Sequence, residues 1–478
     1  MSKSKSLLTG ARAAAVGIAL WSAVVLTAPP ACAQSAGGAQ PAKPAAHQKA
    51  VKDQIEYDLY NTAIKDVQAQ NFAKAITDLE TWKQKYPNSD FKDDREVYLI
   101  QAYAGARQPA KALDTAAQLL NRDLTKVFDD PKSGPQEVVK VLFTSVVAVQ
   151  QIPSPTPDEL AAAAKAAHML LDYDTKPEGA SDADWTKARD QMQVAAKGAL
   201  MYLAMKPGAD AMQSRNYPAA EAAFTKALEQ FPDSGQIAYQ LGASQVAQQA
   251  ADPGKVSSGI YEIARGATLD PAKGGIADPK ARAEVNAYPK KIYTTWHGSD
   301  EGLDQLRQQA LASPTPPAGF HIKTAAEIAT EKEAEFEKTN PELALWMKLK
   351  SQLVDTQGDQ YFQSQLKDTA VPQLRGTLVE AKPACHPREL LVAVPLPPAA
   401  GAAENSAAPA LQPEITLKLE APLSGKPEPN TEFHWEGVPT EFTKDPFMLT
   451  MTVEKDKLDL KSTPCSAAPA RHTPARKK

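Results

Sequence analysis

The chain has 478 residues, with 53 Lys and Arg against 57 Asp and Glu and a net charge of −4. That mildly acidic balance lacks the basic footprint of a dedicated nucleic-acid binder, so no nucleic-acid partner is expected. Past the first thirty residues no segment approaches 18 uninterrupted apolar residues, so no membrane span is expected in the mature chain.

The first 33 residues have the pattern of a signal peptide. Lys3, Lys5 and Arg12 make a basic start, Ala13 to Ala28 is apolar, and Ala31-Cys32-Ala33 gives the small-x-small cleavage pattern before Gln34. An acylated Cys32 is the rival reading, but Pro29 stands where a lipobox needs a branched apolar residue. Removing residues 1–33 takes three basic residues and no acidic one, leaving a net charge of about −7. Two cysteines then remain, Cys385 and Cys465, an even number suited to one disulfide in an oxidising compartment. Residues 34–50 are rich in Ala, Gly, Pro and Gln and read as a flexible spacer.

Residues 51–369 have helical patterning that contains an internal repeat. Asn71-Phe72-Ala73-Lys74-Ala75 aligns with Asn216-Tyr217-Pro218-Ala219-Ala220, and without a gap Tyr86-Pro87-Asn88-Ser89 aligns with Phe231-Pro232-Asp233-Ser234. Between these anchors Leu79 matches Phe224, and Trp82 matches Ala227. An aromatic residue opens a helix, Ala75 or Ala220 lets a partner helix approach, and Leu79 or Phe224 fills the interhelical space. Pro87 and Pro232 then prevent the helix from continuing.

The pattern resembles the second half of a tetratricopeptide repeat (TPR), and Leu241-Gly242 falls where that family's next first helix carries its Leu-Gly pair. Leu99, Tyr103, Ala112, Leu113 and Ala116 continue the first copy with a shift of about three residues, and Ala264 to Pro271 closes a degenerate hairpin after the second. The resemblance is strong over residues 57–122 and 201–271, which sets TPR-like hairpins over 51–125 and TPR repeats over 201–271. Residues 126–200 read as a degenerate helical segment, with helix-like runs at Gln136–Val149, Pro157–Leu171 and Asp182–Met205. The resemblance implies stacked helical hairpins whose concave face binds a protein or peptide partner.

Residues 272–369 form a helical extension, including an amphipathic helix opened by Pro341 and a solvated face over Glu331–Glu337. From 370 to 465 the pattern changes to strands: Leu374–Ala381 with a bend or bulge at Gly376, Glu389–Val394, Glu414–Leu419, Thr431–Glu436 and Phe447–Val453. The expected fold is therefore mainly α, a TPR-like hairpin array followed by a small all-β C-terminal domain, with an OB-like barrel as one form of it. Pairing of Cys385 with Cys465 would close a loop around almost the whole β-domain and stabilise it by up to about 4–5 kcal/mol. The alternative is two thiols too far apart to bridge. Residues 466–478 form a basic tail expected to be disordered.

Catalytic and cofactor signatures are not expected to apply. The chain has no His-Glu-x-x-His, Gly-x-Ser-x-Gly or phosphate-binding loop, and Ser89-x-x-Lys92 falls at a repeat junction, where a structural role is the simpler reading. Asp172-x-Asp174 is broken as a calcium loop by Lys176-Pro177, and Cys385-His386 has no second ligand pair at zinc spacing, so neither a cofactor nor a metal is assigned. The candidate binding loop is Tyr293 to Asp300, with Trp296, His297, Ser299 and Asp300 as its polar and aromatic groups; its structural reading makes Trp296 a core residue and Ser299 a helix cap. The functional expectation is a non-enzymatic protein-binding scaffold of the bacterial envelope. The alternative is a carbohydrate- or small-ligand-binding protein acting through the β-domain or the Trp296 loop, and the third class is an envelope enzyme that no motif announces.

Overall fold

The computed structural model describes residues 49–395 and 411–465. The expected signal peptide with Cys32, nearly all of the spacer, most of the Ala/Pro-rich stretch before the third strand, and the basic tail lie outside the described residues. The chain divides into two compact units, one reaching Ile322 and the other starting at Lys323.

The first unit is helical. Its helices are α1 (Gln54–Gln68), α2 (Phe72–Lys85), α3 (Lys92–Gly105), α4 (Pro109–Leu120), α5 (Leu124–Val127), α6 (Gly134–Ala148), α7 (Pro157–Asp172), α8 (Asp182–Gln213), α9 (Tyr217–Gln230), α10 (Gly235–Val246), α11 (Lys255–Thr268), α12 (Pro279–His297) and α13 (Leu303–Ala312). Many starts are written locally: Thr156 and Glu159 form a reciprocal capping box at α7, Ser181 caps α8, and Ser234 caps α10. Each long helix packs mainly on its sequence neighbours, which is the organisation of a solenoid.

Residues 126–200 supply α5 to α7 and the first part of α8. Helix α8 runs for 32 residues and carries Pro207 in its interior, so it continues well beyond the expected Met205 and becomes the first helix of the next hairpin. Proline removes one backbone donor but leaves the rest of the helix ladder available.

Helices α10 and α11 approach each other closely, backbone to backbone. A Cβ on Gly242 would lie 2.4 Å from the Gly259 carbonyl oxygen, and one on Gly266 would lie 2.4 Å from that of Gly235. The pairs Gly235–Gly266 and Gly242–Gly259 run in opposite senses along the chain, so two glycines spaced seven apart on each helix make an antiparallel seam.

In the second unit, α14 (Ala325–Thr339) buries no residue, and α15 (Pro341–Val354) buries Trp346, Leu349 and Leu353. A short α16 (Gly358–Tyr361) and a π-helical turn over Phe362–Leu366 lead into the strands. These are β1 (Val371–Lys382), β2 (Glu389–Ala393), β3 (Ile415–Leu419), β4 (Lys426–Pro427), β5 (Glu432–Lys444), β6 (Phe447–Val453) and β7 (Ser462–Thr463). Five of them close a barrel in the order β1-β2-β3-β6-β5, with β1 returning to β5. All pairs are antiparallel except β3 with β6, which is the strand order and sense of an OB-like barrel.

The barrel core follows from alternation. Phe433 and Trp435 on β5, and Leu449, Met451 and Val453 on β6, turn inward with Leu390, Val392, Ile415 and Leu417. The same core takes in Trp346, whose ring meets Phe447 edge-on at 6.0 Å between centroids. Gly376 is not at a bulge, contrary to the sequence expectation; the register shifts in β1 lie at Val371/Leu374 and Leu378/Glu380. Instead, Gly376 makes room for close packing, since a Cβ there would sit 2.7 Å from Val392 and 3.0 Å from Trp435. Strand β5 also runs eight residues past the expected Glu436, through a register shift between Pro439 and Glu441.

The Gly242→Ala and Gly259→Ala variants should each lose about 1–3 kcal/mol, because either methyl drives the α10 and α11 backbones apart. Urea unfolding of the full chain, followed by circular dichroism, measures this loss.

Candidate functional site

Three hairpin turns in the first unit are built alike. After α1, Gln70 takes φ +61°, its N–H bonds to Val67 O at 3.1 Å, and the Asn71 N–H bonds to Asp66 O at 2.8 Å. After α3, Arg107 (φ +58°) and Gln108 repeat those two bonds to Ala104 and Tyr103. After α8, Arg215 (φ +59°) and Asn216 repeat them to Met212 and Ala211. This is the Schellman arrangement, which satisfies the last helical carbonyls and fixes the exit direction of the chain.

The hairpin ends also coincide. Tyr86 and Phe231, each before a proline, have φ/ψ of −128°/62° and −129°/66°. Ala75, Leu79, Ala220, Phe224 and Ala227 are buried, Phe72 and Tyr217 are half-buried, and Pro87 and Pro232 stand at the surface. Leu241 and Gly242 face α11 and the hairpin core. Phe72 lies over Gly105, where a Cβ would come within 2.5 Å of its ring.

Polar groups lock the first hairpin. The Trp82 indole donates to buried Glu56 at 3.0 Å, and Tyr86 donates to Asp53 at 2.7 Å. Burial pushes the Glu56 carboxyl up, but hydrogen bonds from Ser89, the Lys52 backbone and Trp82 outweigh it and hold the group below its ordinary range. The Asp53 carboxylate in turn raises the Tyr86 phenol to about 12. Ser89 thus serves the fold: its hydroxyl bonds Glu56 and accepts the Phe91 N–H at 3.0 Å.

In the second copy Glu221 ties three helices together. It accepts from Gln245 at 3.3 Å, from Gln248 at 2.8 Å and from Lys255, the last across the inserted Asp252-Pro253-Gly254 turn. These bonds hold its carboxyl low although burial acts in the other direction.

Two surface concavities lie on this array. One of about 430 Å³ sits between α7 and α8 and is walled by Leu160, Ala161, Ala164, Leu203 and Pro207, with Lys206 and Asp210 at its rim. The other, of about 260 Å³, lies over α2 to α4 and is charged, with Lys83 paired to Glu96 and Arg122 to Asp93 above buried Arg95.

The Trp296 segment is less of a loop than its sequence suggests. Trp296 and His297 occupy the last turn of α12, which ends at Gly298 with φ +90°. The Trp296 indole donates to Ile322 O at 3.0 Å and packs on the Tyr261/Tyr293 core. Asp300 pairs with Lys290 at 2.8 Å, and Ser299 does not cap α13, whose N-cap is Gly302. The His297 ring packs on Tyr293 at 4.9 Å between centroids, tilted by 42°. In the second unit Trp435 is fully buried, while His434 is bonded to Asp459 at 3.0 Å.

Cys385 and Cys465 form a disulfide, with Cα atoms 6.1 Å apart and a sequence separation of 80. It joins the β1–β2 connection to the segment after β7.

Among the buried acids that sequence reasoning passed over, one has an oxygen without a partner. Glu262 on α11 is 3 % exposed, and its Oε2 has no hydrogen-bond partner. Burial drives its pKa up to about 7, with Arg265 acting weakly against that. Because the folded value lies above the ordinary 4.5, the stabilising effect of the proton is complete below about pH 4.5 and lost as pH rises through about 7. Glu262→Gln should therefore raise stability by up to about 3 kcal/mol above pH 7 and leave it unchanged near pH 4. Urea midpoints of the two proteins across that range check this.

A protein family described as tetratricopeptide repeat matches residues 47–125. No curated protein matches the chain. The matched stretch contains α1 to α4, two hairpins joined by the same turn and packed through small residues, so this part of the chain is similar to tetratricopeptide repeats in both sequence and structure.

Proposed function

We propose that this protein is a non-enzymatic scaffold of the bacterial cell envelope, whose helical hairpins bind a partner protein or peptide. Tetratricopeptide repeats are in general protein-interaction modules, and the repeated hairpin carries this reading. Three Schellman turns of one geometry, after α1, α3 and α8, repeat the same hairpin connection, and repeated hairpins build an extended surface. Apolar side chains remain on the outside of the array: Ile55 and Tyr57 on α1, and Val194 on α8, are all about half exposed or more. The envelope assignment is supported by the signal-like first 33 residues and is compatible with the disulfide. No helix among the described residues is long and apolar enough to cross a membrane.

A photo-crosslinking residue placed in living cells at Ile55, Tyr57 or Val194 tests the surface. Defined adducts of one or two proteins are expected from these sites, and none from Lys418 on the barrel. Adducts arising only at Lys418 would move the binding function to the second unit. N-terminal sequencing of the same material should start at Gln34; a chain starting at Met1 would remove the envelope assignment.

A further inference from the structure

The strand connections bring a third group to the disulfide. His386 follows Cys385 directly, and an imidazole nitrogen of His386 and the sulfurs of Cys385 and Cys465 all lie within 4.8 Å of one another. The His386 backbone is left-handed (φ +56°), and its N–H donates to Gly425 O at 2.8 Å. The ring Nδ1 lies 3.1 Å from Leu423 O and faces the Gly425 N–H donor at 3.3 Å, two contacts that suit opposite tautomers. In the tautomer that donates to Leu423, Nε2 carries the lone pair. A backbone carbonyl holding one ring nitrogen while the other is free is the usual support of a metal-ligating histidine.

We propose that the reduced form of this site binds one Zn²⁺ through the thiolates of Cys385 and Cys465 and through His386 Nε2. Two thiolates and an imidazole are a preferred zinc donor set, and exposed His386 leaves room for water as fourth ligand. In a tetrahedral site, donors at about 2.0–2.3 Å from the metal stand roughly 3.5–4 Å apart, a spacing the two sulfurs reach once their bond is cleaved and they separate. A dithiol reductant opens the site: it is oxidised to its own disulfide, while the Cys385–Cys465 bond takes up two electrons and two protons. Zn²⁺ then displaces the two thiol protons to solvent. The oxidised protein holds the barrel's connections covalently, and the reduced protein holds them through the ion.

The test uses the full chain, reduced with a phosphine, desalted without oxygen and titrated with Co²⁺ and then Zn²⁺. One equivalent of Co²⁺ should give thiolate-to-cobalt charge-transfer absorption that Zn²⁺ abolishes, and the oxidised protein should give none. The His386→Ala variant should bind at least tenfold more weakly while still forming the disulfide when oxidised. Tryptophan fluorescence in the same samples, compared with that of a Trp346→Phe/Trp435→Phe chain that keeps Trp82, Trp185 and Trp296 of the first unit, reports folding of the second unit. If reduction unfolds the second unit, Zn²⁺ should restore the native signal. Absence of thiolate absorption with Co²⁺ would overturn the proposal, as would equal affinity in His386→Ala or a reduced unit that zinc does not refold.

Discussion

The helical unit depends on how closely one helix backbone can approach the next. At Ala75, Ala220 and Ala227 the limit is a single methyl, and at the α10–α11 seam it is a hydrogen atom on each of four glycines. Close approach lets the flanking large side chains, Leu79, Phe224, Tyr239 and Ile263, fill their neighbours' grooves without voids. The cost is conformational, since glycine inside a helix loses more backbone freedom than alanine, by about 0.5–1 kcal/mol. Four such residues are tolerated because they act together on one contact.

The second unit solves a different problem with fewer residues. Its barrel is small, and large aromatics, Trp346, Phe433 and Trp435 among them, fill its core together with the inward aliphatic residues of the strands. Trp346 comes from α15 and not from a strand, so the helix that precedes the barrel is part of its core. The Trp435 indole N–H is buried without a partner, so this packing is gained at the expense of one unmade hydrogen bond.

Much of this was legible in the sequence, for identifiable reasons. The two hairpin copies carry the same small, aromatic and proline positions without a gap, and the structure gives helices of 14 residues, Phe72–Lys85 and Tyr217–Gln230, to both. Clean alternation placed β3 and β6 to within a residue. The Schellman turns were hidden because their left-handed residues are Gln70, Arg107 and Arg215, where composition would suggest glycine. The length of α8 was hidden because Pro207 reads as a stop. The Trp296 segment read as a loop because its polar residues outweigh the helical signal, and the structure ends that helix only at Gly298. The Glu262 carboxyl had no signal at all; one acid in an apolar helix is indistinguishable from a surface acid until the packing around it is known.

Closure of the barrel has a consequence for how this part of the molecule can meet others. Each of its five strands has a hydrogen-bonded neighbour on both sides, including β1 against both β2 and β5. An open sheet exposes a row of unpaired amides and carbonyls that any extended segment can extend, whatever its side chains. Here that indiscriminate route is shut. Anything that recognises the barrel wall must read side chains and connecting turns, and two barrels crowded together do not template each other edge to edge.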